Sequence, residues 1–149
     1  PSPLGGLYVS DGECNARVHY FSADGWLMAS WGELGKRAPG QFHMPHGVLV
    51  DWQGLVYVCD RENNRIQVFD RDGTFVTEKV INPDVVGAVS NDIAFSRDPE
   101  QRFMYVTDHA SSKVWILTRS DMNVIGSKGA LPTDACCRGS VYFDPLNAQ

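Results

Sequence analysis

His46 stands in the tripeptide "PHG", directly before the strand-like run "GVLVD". A neutral imidazole is a good zinc ligand, and a catalytic zinc commonly takes three protein ligands and one water. The same side chain can instead serve as a hydrogen-bonding group at the mouth of a strand. The residues alone leave both interpretations open.

Arg17, in the stretch "DGECNARV", is the second residue whose side chain could bind a substrate or take part in catalysis. A guanidinium group binds a carboxylate or a developing oxyanion through two parallel hydrogen bonds, which an ammonium group cannot do. Arg65 and Lys113 take the same place in two similar stretches, so a cation there is a repeated feature. Pairing with the aspartate that opens each stretch, Asp11 in the case of Arg17, is the favoured interpretation.

Several other enzyme classes are not supported by the sequence. It has no Ser-His-Asp order, no glycine-rich phosphate loop ahead of a helix and no paired carboxylates with an evident acid–base partner. Its four cysteines do not follow zinc-knuckle spacing. Cys59, inside "VYVCD", is expected to be a small buried side chain.

The composition predicts a soluble globular protein of single-domain size, with 149 residues, 43% of them hydrophobic and 21% charged. The net charge of −5 argues against a nucleic-acid partner. No apolar run reaches the ~18 residues of a membrane helix, and no signal-peptide pattern is present. Because the first residue is proline, we expect a processed or trimmed product whose compartment the sequence does not give.

One unit occurs three times along the chain. Its copies are "LYVSDGECNARVHYFSADG", "VYVCDRENNRIQVFDRDG" and "MYVTDHASSKVWILTRSD". Tyr8, Tyr57 and Tyr105 recur at intervals of roughly 50 residues, a period typical of propeller blades. Valine, tyrosine, isoleucine and phenylalanine fill short runs that glycine, aspartate and asparagine punctuate. The pattern predicts an all-β chain with strands near 7–10, 17–21, 26–31, 47–51, 55–59, 65–69, 74–79, 91–95, 103–107, 113–117, 123–127 and 140–144.

The pattern "PGQF…PHGVLVD…GLVYVCDRENNRIQVFD" resembles the NHL repeat, a blade motif of mostly six-bladed β-propellers. Within that family, the segments "VSDGECNARV" and "GQFHMPHGV" are most similar to the peptidyl-α-hydroxyglycine α-amidating lyase branch. The resemblance implies a β-propeller of four-stranded NHL blades. It also implies a zinc ligand at His46, a calcium ion on the backbone carbonyl of Val48, and a catalytic, substrate-holding role for Arg17.

The resemblance also places candidate binding residues. Asn91 takes the position of His46 in the next copy, and with Asp92 it is expected to lie at the channel mouth. Trp52, in the turn "WQG", is expected to be exposed and is a candidate binding residue. Trp115, in "KVWIL", is expected to pack in the core.

Three copies are fewer than the four to eight blades that close a propeller. We expect one propeller segment over 1–149, with blades at about 1–39 (completed by 138–149), 40–84 and 85–137. The chain can be a piece of a longer propeller, or two copies can close a six-bladed ring. The homodimer is favoured, because pairing residues 140–144 of one copy with 7–10 of the other covers unpaired strand edges.

The function predicted from the sequence is a non-catalytic binding or scaffold module for a peptide, protein or small ligand. Its ligand surface is expected at the channel mouth and rim. The alternative is a metal-dependent lyase-like enzyme that uses zinc or calcium. The binding module is favoured, because the channel position that carries His46 in one blade carries Asn91 and Gly139 in the others.

Overall fold

The computed structural model describes residues 5–129, which form short strands joined by turns. The strands are β1 (Leu7–Asp11), β2 (Arg17–Phe21), β3 (Leu27–Trp31), β4 (Glu33–Leu34), β5 (Gln41–Phe42), β6 (Pro45–Val50), β7 (Val56–Asp60), β8 (Arg65–Phe69), β9 (Phe75–Val80), β10 (Asp92–Phe95), β11 (Phe103–Asp108), β12 (Lys113–Thr118) and β13 (Val124–Lys128). A 3₁₀ turn spans Arg61–Asn63. Within this range no helix is long and apolar enough to cross a membrane.

The strands form three antiparallel sheets in chain order. The first sheet is β1-β2-β3, the second is β6-β7-β8-β9 and the third is β10-β11-β12-β13. The strands predicted between residues 7 and 127 are confirmed to within two residues, whereas the one at 140–144 lies outside the described residues. The sequence missed β4 and β5, which pair in parallel and bring the segment between the first two sheets against the second.

Local side-chain chemistry closes the hairpins. In the turn between β8 and β9, one carboxylate oxygen of Asp70 accepts the N–H groups of Asp72 and Thr74 at 3.0 and 2.8 Å. Gly73 follows with φ of 90°, a left-handed conformation that glycine adopts without steric cost. The sequence "FDRDG" therefore sets this turn through hydrogen bonds within the turn itself.

The second sheet packs between the other two, so β7 and β8 are buried along their whole length. One core cluster, which we call the first junction, joins the first and second sheets through Tyr8, Val18, Tyr20, Val58 and Phe69, among others. The second junction joins the second and third sheets through buried residues that include Tyr57, Ile66, Val68, Met104 and Val106. Because β7 lies between two packed faces, its run "VYVCD" is continuously apolar up to its last residue.

Tyr8 makes the first junction sensitive to alkaline pH. Its ring stacks on Tyr20 at 4.6 Å between centroids, and its hydroxyl donates to the carbonyl oxygen of Arg71 at 3.1 Å. Burial, followed by the neighbouring Tyr20, raises the pKa of Tyr8 to about 12 from an ordinary value of 10.0. Burial also raises the pKa of Tyr57.

We therefore expect the contribution of Tyr8 to the free energy of unfolding to be fully present below about pH 10 and to be lost as the pH rises toward 12. The reason is that the unfolded tyrosine loses its proton at a lower pH than the folded one. Tyr8→Phe should cost about 1 kcal/mol at pH 8, the worth of its hydrogen bond, and less at pH 11. Urea unfolding of both proteins at the two pH values measures this. A difference in free energy of unfolding between the two proteins that is as large or larger at pH 11 than at pH 8 would contradict this expectation.

Candidate functional site

The first residues of β6 and β10 lie side by side where neighbouring sheets meet. The N–H of Gly47 donates to the carbonyl oxygen of Asn91 at 3.1 Å, which ties the two strands together. The hydroxyl of Ser10, on β1, donates to the carbonyl oxygen of His46. We call this surface, formed by Ser10, His46, Gly47, Asn91 and Asp92, the inner-strand face.

Two glycines allow the sheets to approach this closely. A Cβ atom on Gly47 would lie 2.8 Å from Oδ1 of Asp92 and 3.0 Å from its Cα atom. A Cβ atom on Gly12 would lie 2.2 Å from the carbonyl oxygen of Pro45. Real Cβ atoms do not come as near to backbone as the one on Gly12 would, so position 12 requires glycine, whereas a side chain at position 47 would displace the Asp92 carboxylate.

His46 is exposed on the inner-strand face, while Asn91 and Asp92 beside it are half-buried. The Asp92 carboxylate accepts the N–H of Ile93 at 2.9 Å, and its own N–H donates to Oγ1 of Thr107 at 2.9 Å. The structure thus brings together three of the predicted site residues. Val48, the predicted calcium-binding position on β6, packs its side chain against the first junction.

The donor set does not complete the zinc site that the resemblance implies. Among residues 5–129, no group of three or more His, Cys, Asp or Glu side chains is placed to hold a metal ion. His19 faces Asp11 at 3.5 Å, and His109 lies in an exposed loop. Cys59 is fully buried, as predicted, and burial raises the pKa of its thiol far above the ordinary range, so it is no nucleophile. The calcium position at the carbonyl of Val48 stays a prediction.

The pairing expected for Arg17 is wrong. Its guanidinium is exposed and donates to Oγ of Ser30 at 3.5 Å, while the Asp11 carboxylate accepts from Nδ2 of Asn15 at 2.6 Å. The repeat has one extra residue in this loop, and the side chains it brings in replace the cation beside Asp11. Arg17 lies at the same end of the sheets as His46, because both residues open a strand there.

The equivalent pair in the second sheet is confirmed and deeply buried. Arg65, only 3% exposed, donates Nε to Oδ2 of Asp60 at 2.8 Å and Nη1 to Glu78 at 2.8 Å. Its remaining donors reach the carbonyl oxygens of Arg37, Ala38 and Gln41, in the segment between the first and second sheets. Arg65 therefore holds that segment against the second sheet. From the sequence we predict only a chain reversal at "DRENNRIQ". The cation repeated at this position is the one feature of the sequence that points to the hydrogen bonds of Arg65.

Asp60 is surrounded by donors although it is fully buried. Besides Arg65, it accepts Nδ2 of Asn63 at 2.7 Å, the N–H of His43 at 2.7 Å and Nε2 of Gln67 at 3.2 Å. Burial raises the pKa of Asp60, and the hydrogen bonds from Asn63, Arg65 and His43 oppose that rise. The group is structural, because every oxygen is used by the fold.

Trp52 lies at the opposite end of the second sheet from His46, in the turn between β6 and β7. Its indole N–H donates to the carbonyl oxygen of Glu100 at 3.3 Å, and Arg119 lies 5.9 Å from its ring centroid. Trp52 is exposed, as expected, with 52% of its surface accessible, and Trp26 is 73% exposed. The structure therefore does not bring Trp52 to the inner-strand face. Trp115 packs against the second junction, as predicted.

The three antiparallel sheets, packed face to face around two junctions, define an all-β protein consistent with a propeller-type fold. Residues 42–69, which run from β5 through β8, match the NHL repeat model. The chain thus contains an NHL repeat, and the resemblance inferred from its motifs is confirmed.

Two relatives carry the resemblance further. Over 79 residues, 50% of this chain, it is 43% identical to peptidyl-glycine alpha-amidating monooxygenase A of Xenopus laevis. Over 67 residues, 44% of the chain, it is 40% identical to a probable peptidyl-alpha-hydroxyglycine alpha-amidating lyase of Caenorhabditis elegans. The matches span 8% and 19% of the length of these relatives.

Among solved structures, the chain is similar to virginiamycin B lyase from Staphylococcus aureus. The TM-score is 0.66 at 17% identity, over 90% of this chain and 41% of that one. At this identity the likeness concerns the fold alone.

Proposed function

We propose that this chain is a non-catalytic NHL-repeat module that binds a peptide at the inner-strand face. The observation that carries the proposal is the composition of that face. It presents one exposed imidazole, His46, next to the polar side chains of Asn91 and Asp92, where a zinc lyase would need further ligands. The face is also well supported, because Ser10 and Asn91 bond to the backbone at His46 and Gly47.

A peptide is the favoured ligand because the relatives named for amidation act on peptidyl-glycine and peptidyl-α-hydroxyglycine. A module that shares their repeat but holds too few imidazoles can bind such a chain without converting it. The lyase-like enzyme remains the second candidate on the strength of the same relatives. In that case the missing zinc ligands would have to come from residues beyond the described range or from another chain.

The first part of the test measures metal content and turnover. After incubation with zinc chloride and gel filtration, the full chain should hold well below one zinc per chain, and a peptide ending in α-hydroxyglycine should stay unconverted. Stoichiometric zinc that is lost in His46→Ala, together with conversion to the amide, would establish the enzyme instead.

The second part measures binding with a fluorescein-labelled peptide ending in glycine. We expect saturable binding that His46→Ala or Asn91→Ala weakens at least about tenfold, which is the loss of one or two hydrogen bonds to the peptide. Trp52→Ala, at the opposite end of the sheet, is the control and should bind as the unchanged protein does. Absence of binding, or equal binding by all variants, would refute a peptide site at this face.

A further inference from the structure

The connection between β9 and β10 is a compact loop whose two ends meet at one residue. The N–H of Ile81 donates to the backbone carbonyl oxygen of Asn64 at 2.7 Å, and the N–H of Val89 donates to Oδ1 of the same residue at 3.4 Å. Nδ2 of Asn64 donates to the carbonyl oxygen of Val85. We call residues 81–89 the anchored loop. Loops of this kind, with both ends close together, are frequently functional.

The anchored loop is also fixed by burial and by the third sheet. Ile81 and Val89 are fully buried in the second junction. The N–H of Ala110, in the turn between β11 and β12, donates to the carbonyl oxygen of Ala88 at 3.2 Å. Ala88 has φ of 59°, a left-handed conformation that is costly for a residue with a Cβ atom. The surrounding contacts therefore hold one backbone conformation of this loop against that cost.

Val86 lies at the tip of the anchored loop and is fully exposed. Val85 before it is half-buried and packs against the second junction, and Gly87 after it is buried. Because both neighbours are fixed, the valine side chain is presented to solvent at a defined position. Isolated apolar side chains are common on protein surfaces, but one held rigidly beside a binding face adds apolar contact to a ligand at little entropic cost.

The anchored loop lies at the same end of the sheets as the inner-strand face. Five residues after Val86 the chain reaches Asn91, whose carbonyl oxygen accepts the N–H of Gly47 on that face. A chain of five residues spans at most about 18 Å. Val86 is therefore within reach of an extended peptide of roughly five residues that has one end at the inner-strand face.

The 3₁₀ turn connects the anchored loop with the segment that carries His46. A Cβ atom on Gly87 would lie 2.5 Å from Oε2 of Glu62, so the loop rests directly on this turn. The N–H of Glu62 in turn donates to the carbonyl oxygen of His43, three residues before His46, at 3.0 Å. The surface from His46 to the anchored loop is thus continuous and joined by backbone contacts.

We infer that Val86 contacts an apolar side chain of the peptide bound at the inner-strand face, so that the module selects peptides with an apolar residue ahead of their terminal glycine. This inference rests on the proposed function and adds to it a preference among peptides. With the terminal glycine beside His46, an extended peptide that crosses the turn at Glu62 brings one of its preceding five residues to Val86.

A leucine scan of the peptide tests this preference on the full chain. The reference is a fluorescein-labelled peptide with serine at the five positions before a terminal glycine, and each test peptide carries one leucine at one of these positions. We expect leucine at one position to lower the dissociation constant roughly fivefold, the worth of a partly buried apolar contact. Val86→Ser should abolish this gain. Val76→Ser, at an exposed valine on β9 near the opposite end of the sheet, is the control and should retain it.

The same measurements separate this inference from the proposed function. If every leucine peptide binds like the serine peptide while His46→Ala still weakens binding, the role of Val86 is refuted and the peptide module stands. A leucine gain that persists in Val86→Ser places the apolar contact elsewhere and also overturns the inference. Absence of saturable binding by any of the peptides refutes both.

Asn64→Gly tests whether the anchoring matters. Glycine accepts the left-handed conformation of Asn64, with φ of 54°, but removes the side chain that bonds Val85 and Val89. We expect this variant to bind the serine peptide as the unchanged protein does and to lose the leucine gain, with an unchanged far-ultraviolet circular dichroism spectrum. Retention of the full gain would overturn the role of the anchored loop in positioning Val86.

Discussion

Asp60→Asn is expected to lower the free energy of unfolding by about 3 kcal/mol, the lower end of the cost of breaking a buried ion pair, because Arg65 keeps its second carboxylate partner, Glu78. Arg65 is almost fully buried and its Nε bonds the Asp60 carboxylate at 2.8 Å. An amide in its place carries no charge, and its NH₂ group would confront the donors of Asn63 and Gln67. Urea unfolding followed by tryptophan fluorescence measures the loss.

Asp108→Asn is the matched control, because Asp108 takes the same place in the third sheet and is also buried. Its carboxylate accepts Nε1 of Trp115 at 2.9 Å and the N–H of Ser111 at 2.8 Å, both neutral donors. We expect a loss of about 1–2 kcal/mol there. Equal losses at the two positions would show that the ion pair with Arg65 is not the source of the difference.

The double variant Asp60→Asn/Arg65→Met isolates the pair. Once the cation is gone, the amide at position 60 no longer faces a buried positive charge. The loss in the double variant should therefore be smaller than the sum of the single losses by about 1–3 kcal/mol. Additive losses would contradict direct coupling between the two side chains.

Phe69→Ala is expected to cost about 3–5 kcal/mol, as large-to-small substitutions of buried aromatic residues do. The ring is 1% exposed and lies 5.7 Å from the rings of Trp31 and Phe42 and 6.0 Å from that of Phe75. Because these rings come from both sheets and from the segment between them, a cavity there loosens the whole first junction.

Phe75→Ala removes a ring from the same aromatic group, at the half-buried start of β9, and serves as the control. We expect about 1–2 kcal/mol at that position, because water already contacts part of the ring and no closed cavity is left. The loss in free energy of unfolding for Phe69→Leu should lie between those for Phe69→Ala and Phe75→Ala. The midpoints of urea unfolding, compared at constant slope, give these values, and a loss at Phe75 as large as that at Phe69 would refute the account.

The sequence by itself determined the strands, their order and the hairpin turns. Alternating apolar residues and turns such as "FDRDG" act through neighbours in the chain, as the hydrogen bonds of Asp70 show. The internal repeat also predicted that successive units form similar sheets with their strands in the same order. The place of His46 beside Asn91 followed from it, since equivalent strands begin at the same end of their sheets.

Only the tertiary structure decided what repeated residues do. Arg17 and Arg65 occupy one position of the repeat, yet Arg17 is exposed and Arg65 is buried in an ion pair. The physical reason is the number of packed neighbours: the second sheet is covered on both faces and by the segment between it and the first, whereas the described residues leave one face of the first sheet open. Burial, hydrogen bonding and charge pairing depend on those neighbours, which a local pattern does not encode.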